Sequence, residues 1–169
     1  MLEALHLKCE LIEGELVDVS PMKPRHAVVT INLSSIFNEL LSRTTHAVGS
    51  QTPVVLSDIS EPEPDVWVAH VGLRAFLERK PEPADLSLVV EVSDTTLRFD
   101  RDVKVPMYAS AGVSNLWIVD INADQIVSYG NPVDGDYRSI GSFTTEDAIP
   151  LPWGGELSVA TILLLDLAD

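Results

Sequence analysis

The most constraining feature of the sequence is an apolar run that carries an acid near its end. The run is Leu86-Ser-Leu-Val-Val-Glu-Val, and Glu91 is its only charged residue. A continuous run rich in valine and leucine is typical of a central strand that is covered on both faces. A carboxylate that is buried alone is costly, so Glu91 needs partners. The sequence therefore predicts a central strand that delivers a carboxylate to a polar site.

The composition is that of an ordinary globular protein. The 169 residues are 46% apolar and 22% charged, so we expect one domain spanning 1–169 rather than a disordered chain. No apolar run reaches the about eighteen residues that span a bilayer, and the acidic opening is unlike a signal peptide. The single cysteine, Cys9, has no partner for an internal disulfide. We therefore expect a packed thiol and a cytoplasmic location.

The charge of the chain counts against binding nucleic acid. The formal net charge is −15, and from residue 105 onward a single cation, Arg138, faces nine acids. Phosphate neutralisation dominates nucleic-acid binding, so such a chain is repelled at long range. Contact with DNA would need a local cationic surface. The candidate cations for one side of a cleft are Arg74, Arg79, Lys80, Arg98, Arg101 and Lys104.

Periodicity and turn signals predict an α/β or α+β fold. A β-hairpin is expected around Glu13-Gly14, and a second helix is expected to start with N-cap chemistry at Ser93-Asp-Thr-Thr and to end at Gly112. The apolar tail, 162–165, must cover either the chain's own core or a partner. The predicted strands are 7–12, 15–19, 46–50, 53–56, 65–69, 86–92, 115–120, 125–129 and 137–140, and the predicted helices are 26–41 and 93–111.

Two acids and a lysine occupy positions that suit phosphodiester chemistry. Asp65 starts one strand and Glu91 ends another, while Lys104 lies on the helix that follows. Carboxylates at neighbouring strand ends suit Mg²⁺, which takes one or two of them together with water and phosphate oxygens. A nearby ammonium stabilises charge that develops on phosphorus. These three residues therefore form a sufficient set for metal-dependent phosphodiester hydrolysis.

Ordinary structural roles explain the same three residues. Asp65 is then simply the first residue of a strand, and Lys104 is a solvated helix lysine. Glu91 then pairs with Arg98 or Arg101. Spacing alone leaves both interpretations open.

The motifs taken together resemble a known family. They are Glu10-Leu-Ile-Glu-Gly-Glu-Leu-Val, Ser20-Pro with His26, Pro64-Asp65-Val, Leu88-Val-Val-Glu91-Val-Ser, Asp100-Arg-Asp-Val-Lys104-Val-Pro-Met-Tyr108 and Ala111-Gly-Val-Ser-Asn-Leu-Trp117-Ile-Val-Asp. Over roughly residues 8–140 the chain resembles the Uma family of restriction-endonuclease-like proteins. The resemblance implies an α/β fold with a PD-(D/E)XK core, in which helices flank a mixed sheet and a β-hairpin precedes it.

The resemblance also assigns roles to residues. Asp65 and Glu91 would be the motif acids and metal ligands. Ser93 stands where a lysine is usual, and Lys104 would supply the ammonium from the following helix. Pro106 lies just after it and is expected to kink that helix.

Further positions match the family less specifically. Glu10, His26 and Gln51 would be auxiliary residues beside Ser93, whereas Tyr108 and Trp117 read as core. The implied cofactor is Mg²⁺ or Mn²⁺, the implied partner is DNA, and a homodimer is expected without any membrane association.

Three functions follow as expectations. The first is a metal-dependent endonuclease that hydrolyses DNA phosphodiester bonds. The alternative is a catalytically weak or inactive nuclease-fold module that acts through a protein partner, which the acidity and the apolar tail favour. A third is hydrolysis of a smaller or structured phosphodiester, RNA included, at the same site.

Overall fold

The computed structural model describes residues 8–19 and 21–166. The strands are β1 (Cys9–Ile12), β2 (Glu15–Asp18), β3 (Ala47–Gly49), β4 (Val66–Ala69), β5 (Leu86–Ser93), β6 (Asn115–Asp120), β7 (Gln125–Val133), β8 (Asp136–Thr144), β9 (Ala148–Pro150) and β10 (Glu156–Ser158). The helices are α1 (Pro24–Leu40), α2 (Leu97–Phe99), α3 (Val105–Ser110) and α4 (Val159–Ile162). A π-helical turn, Asp100–Lys104, joins α2 to α3, and 3₁₀ turns cover Leu73–Phe76 and Pro83–Asp85.

A mixed six-stranded sheet forms the centre of the fold. Its order is β3-β4-β5-β6-β7-β8, in which only β5 and β6 run parallel. Val90 and Val92 of β5 pack on the α1 face of the sheet, and Val89 packs on the opposite face with α3. The apolar run is therefore covered on both sides. The predicted α/β architecture, with a central β5 and an N-terminal hairpin, is confirmed.

Helix α1 forms because its apolar residues repeat at helical spacing. Val29, Leu33 and Phe37 lie four residues apart and are buried against the sheet. Pro24 occupies the first turn, where a missing N–H costs little. The predicted helix, 26–41, is confirmed with slightly shifted ends. Among the described helices, none is long and apolar enough to cross a bilayer.

The second predicted helix is interrupted and starts later than expected. It begins at Leu97 with Thr96, a residue of the predicted Ser93-Asp-Thr-Thr motif, at the N-cap position, but the Thr96 side chain makes no cap bond to a backbone N–H. The Thr96 and Ser93 hydroxyls donate instead to Asp100 Oδ2, each at 2.7 Å. Gly112 ends the helix with φ +80°, as predicted.

Two strand predictions need correction. The predicted strand 53–56 is a loop, in which Val54 N donates to Pro62 O and Val55 N to Pro81 O. Because proline has no N–H, neither Pro62 nor Pro81 can donate the return hydrogen bond of a β-ladder. The predicted late pair is longer than expected, since Asn131-Pro lies within β7 and the turn comes at Asp134-Gly.

Predictions for the hairpin and for the apolar tail can also be compared with the structure. Residue 7 of the predicted first strand lies outside the described residues. Cys9 is exposed rather than packed, because β1 turns Glu10 and Ile12 inward. In the tail, Ile162 and Leu163 are buried in the core beneath α1. The apolar tail therefore covers the chain's own core.

Candidate active site

A cleft of about 220 Å³ lies at the edge of the sheet where β4 begins and β5 ends. Side chains of the hairpin also line it. Strands β4 and β5 are antiparallel with Val66 opposite Val90, so Asp65 at the start of β4 lies beside the end of β5. The cleft is lined by Glu10, His26, Gln51, Asp65, Glu91, Asp100 and Lys104 among others. Ser93 is fully buried and does not line it.

Lys104 joins two carboxylates from distant parts of the chain. Its ammonium donates to Glu10 Oε1 at 3.2 Å and to Glu91 Oε1 at 3.1 Å. All three side chains are buried, so each charge depends on the others. Glu91 therefore pairs with Lys104 rather than with Arg98 or Arg101.

Asp65 is held on both of its carboxylate oxygens. Its Oδ2 accepts from the Val92 backbone N–H at 2.8 Å, and its Oδ1 lies 2.8 Å from His26 Nε2. Gln51 Nε2 donates weakly to the same Oδ1 at 3.4 Å. Burial opposes the charged form of His26, but the hydrogen bond and charge of Asp65 raise its pKa above the ordinary value. His26 and Asp65 therefore form a partly buried, charge-assisted pair.

Two further residues belong to the cleft network that the sequence did not identify. The Tyr108 hydroxyl, read as core, donates to Glu91 Oε1 at 2.7 Å. Asp100 accepts the hydroxyls of Ser93 and Thr96 and lines the cleft. Both lie four residues from Lys104, and that spacing is the signal that marks them as its neighbours.

The acids of the cleft outnumber its cations. Burial and the neighbouring charges together shift the pKa values of three of its groups. Burial raises the pKa of Glu91, against the opposing attraction of Lys104. Burial also raises the pKa of Asp100. For Lys104, burial alone would lower the pKa, but the carboxylates of Glu91, Glu10 and Asp100 outweigh it and raise the value. The ammonium therefore stays charged in its buried position.

Of the six candidate cations, Lys104 lines this cleft and the other five do not. Arg79 pairs with Asp85 and stacks on Phe76, Lys80 pairs with Glu61, and Arg98 pairs with Asp102. The lysines that line the cleft are Lys8, Lys23 and Lys104. The expectation that these six cations line one side of a cleft therefore holds for Lys104 alone, and Arg79, Lys80 and Arg98 pair with local acids instead.

The donor set suits a hydrated hard cation. Within residues 8–19 and 21–166, no three His, Cys, Asp or Glu side chains stand close enough to hold a metal ion. Mg²⁺ needs only one or two protein carboxylates and keeps several waters. Asp65 and Glu91 both line the cleft, and within the described residues no hydrogen bond reaches Glu91 Oε2. Asp65 and Glu91 therefore fit such an ion.

The fold is similar to that of a solved structure. That protein, from Anabaena variabilis, is described as "a putative nuclease belonging to DUF820". The TM-score is 0.74 and the sequence identity is 14%, over 98% of this chain and 95% of that chain. At this identity the likeness shows the fold alone.

The sequence also matches a family model. No curated protein matches the chain significantly. The Uma2 family model, described as "Putative restriction endonuclease", matches residues 2–161. That match covers nearly the whole chain and confirms the resemblance seen in the motifs. The chain belongs to the Uma2 family of putative restriction endonucleases.

Proposed function

We propose that the protein is a metal-dependent nuclease that hydrolyses DNA phosphodiester bonds in this cleft. One observation carries the proposal: the Lys104 ammonium is held at 3.1 Å from Glu91 in the cleft that Asp65 also lines. Two acids and an ammonium in one cleft form a sufficient set for metal-dependent phosphodiester hydrolysis. The family description and the nuclease-like fold support the same reaction.

Asp65 and Glu91 are the residues that would hold Mg²⁺ or Mn²⁺. When bound, such an ion neutralises phosphate charge and makes water a better nucleophile. Asp65 is already oriented by the Val92 N–H, and Glu91 by Tyr108 and Lys104. Because both carboxylates are positioned by the protein, little reorganisation is needed to receive a cation.

Lys104 would stabilise the charge that builds up on the phosphate oxygens. Hydrolysis adds water to phosphorus and breaks one P–O ester bond, and the departing oxygen must gain a proton. The ammonium is held by Glu10 and Glu91 and is more than nine-tenths buried. A buried cation acts in a low dielectric, where its effect on a developing negative charge is larger than in water.

His26 and Glu10 would act as supporting residues. His26 shares Asp65 Oδ1 and so limits how that carboxylate turns. Glu10 accepts the Glu63 backbone N–H at 2.9 Å as well as the Lys104 ammonium. It therefore ties the hairpin to the cleft and keeps Lys104 aligned.

The alternative of an inactive interaction module now has weaker support. The apolar tail, which favoured this alternative, packs into the chain's own core rather than facing a partner. The net charge of −15 remains in its favour. A homodimer and a cytoplasmic location stay part of the proposal, and light scattering of the purified protein tests the dimer.

Nicking of supercoiled plasmid DNA tests the nuclease. Wild type and Glu91→Gln are compared in Mg²⁺, in Mn²⁺ and with chelator. We expect metal-dependent nicking that Glu91→Gln loses, because the neutral amide cannot hold the cation. Glu156→Gln, an exposed acid on β10, is the matched control and keeps full activity. Equal nicking by Glu91→Gln, or nicking in chelator, contradicts the assignment.

A further inference from the structure

The cleft combines recessed carboxylates with several apolar side chains. Asp65 and Glu91 line it and are 8% and 3% exposed. The apolar residues that line it include Val17, Val19, Pro21, Met22 and Phe99. Gln51 Nε2 contacts Met22 Sδ and donates weakly to Asp65 Oδ1 at 3.4 Å. A ligand that fills this cleft therefore meets both carboxylates and apolar surface.

Phe99 differs from every other aromatic side chain of the chain. All ten Phe, Tyr and Trp residues lie within the described part of the sequence. Nine of them belong to one of the two core clusters or pack against it, and Phe99 does neither. Its half-buried ring lines the cleft instead. An aromatic ring beside a phosphodiester site is suited to stacking on an unpaired base.

The depth of the acids favours a single strand over an intact duplex. A phosphate has to reach two carboxylates that are more than nine-tenths buried. A single extended strand can turn one nucleotide into the cleft, whereas a duplex must first release one.

The charges around the cleft rule out tight binding through the phosphate backbone. Each of its three lysines is already paired: Lys8 with Glu63 at 2.8 Å, Lys23 with Asp94 at 2.9 Å, and Lys104 with Glu10 and Glu91. Duplex binding depends on many free Lys and Arg contacts to phosphates. Affinity at this cleft must therefore come from the base rather than from the phosphates.

We propose that the cleft binds one unpaired nucleotide of single-stranded DNA through its base, which stacks on Phe99. The preferred substrate is then single-stranded DNA or an unpaired segment within a duplex. The cleavage of that strand rests on the proposed function, whereas the binding preference does not.

Binding is measured by fluorescence anisotropy with wild-type protein in chelator. The three probes are a labelled 20-mer strand, the same sequence as a duplex, and a strand of equal length with abasic positions. We expect the single strand to bind at least tenfold more tightly than the other two. The dependence of affinity on salt is expected to be shallow, corresponding to about one or two phosphates on a single strand.

Variants of Phe99 test the stacking. Phe99→Ala should weaken binding of the single strand by about tenfold or more, and Phe99→Trp should restore it. Leu77→Ala, an exposed apolar residue outside the cleft, is the control and should bind as wild type. Thermal unfolding checks the fold, and Phe99→Leu replaces the alanine variant if that variant is unstable. Equal binding of duplex or abasic strand, or no effect in folded Phe99 variants, overturns the proposal.

Cleavage with Mg²⁺ separates this proposal from the proposed function. If the single strand binds through Phe99 and no probe is cleaved, the nuclease assignment fails and the base site stands. If the duplex is cleaved faster than the single strand, the base site fails and the nuclease assignment stands.

Discussion

Lys104 and Glu91 are thirteen residues apart in the sequence, and their charged groups meet at 3.1 Å inside the protein. The lysine comes from a π-helical turn and the acid from the end of the central strand. Their contact joins the second helical segment to the sheet at the candidate active site. Disturbing either partner should therefore affect both stability and activity.

Lys104→Met should lower stability and activity together. The change leaves Glu10 and Glu91 buried without a cation, which costs about 3–5 kcal/mol in the free energy of unfolding. Nicking activity should fall by about 10² or more, because charge stabilisation is lost. Urea denaturation and plasmid nicking measure the two effects. Lys80→Met, which breaks a surface pair with Glu61, should cost at most about 1 kcal/mol and keep activity.

Tyr108→Phe should remove the hydrogen bond that the Tyr108 hydroxyl donates to Glu91. The Tyr108 hydroxyl donates to Glu91 at 2.7 Å, so its removal should cost about 1–3 kcal/mol and reduce nicking severalfold. Tyr137→Phe removes a similar buried bond, to Val113 O at 2.8 Å, away from the cleft. It should lose comparable stability while nicking stays normal. If both variants lose nicking activity, the loss in Tyr108→Phe comes from lower stability and not from the missing hydroxyl in the cleft.

Pro106→Ala should disturb the placement of Lys104. Proline lacks the N–H that would bond to Asp102 O, and here Val105 N bonds five residues back to Asp100 O. We infer that an alanine lets the segment return to regular α-helix, which shifts the ammonium in the cleft while its pairs with Glu10 and Glu91 persist. The rate constant kcat should fall about tenfold while the free energy of unfolding changes by at most about 1 kcal/mol. Pro83→Ala, in a 3₁₀ turn, is the control; equal kcat values in the two variants contradict this role.

Gly49→Ala should destabilise the fold through a direct clash. A Cβ added at Gly49 would overlap the ring of Trp67, which is buried and whose Nε1 donates to Thr52. Overpacking of this kind costs about 1–3 kcal/mol, and Trp67 fluorescence should change with it. Gly130→Ala is the matched strand control, because its nearest neighbour would lie at 3.7 Å. Urea denaturation should separate the two; equal midpoints would count against the clash.

The Arg79–Asp85 pair should give a pH dependence on the acid side. The hydrogen bond from Arg79 lowers the pKa of the Asp85 carboxyl below its ordinary value. A lowered folded pKa contributes stability above the unfolded pKa, and this is lost as pH falls through the folded value. NMR titration should show the pKa of Asp85 rising toward its ordinary value in Arg79→Gln. Arg74→Gln should leave the pKa of Asp85 unchanged. An identical shift in that variant would mean that the net charge of the protein, rather than the bond from Arg79, sets this pKa.

The sequence by itself determined the elements that local pattern controls. The apolar run around Glu91 marked β5 as a buried strand, and the spacing of Val29, Leu33 and Phe37 marked α1. The positions of Asp65 and Glu91 at strand ends also followed from that pattern. These features depend on neighbours within a few residues, so periodicity and turn chemistry suffice to predict them.

Only the tertiary structure decided which charges meet. The contact of Glu10 with Lys104 and the bond from Tyr108 to Glu91 each join elements that are far apart in sequence. The pairing of Lys8 with Glu63 likewise follows from where the hairpin packs. Burial makes an unpaired charge expensive, so packing selects partners by proximity in space, which periodicity does not encode.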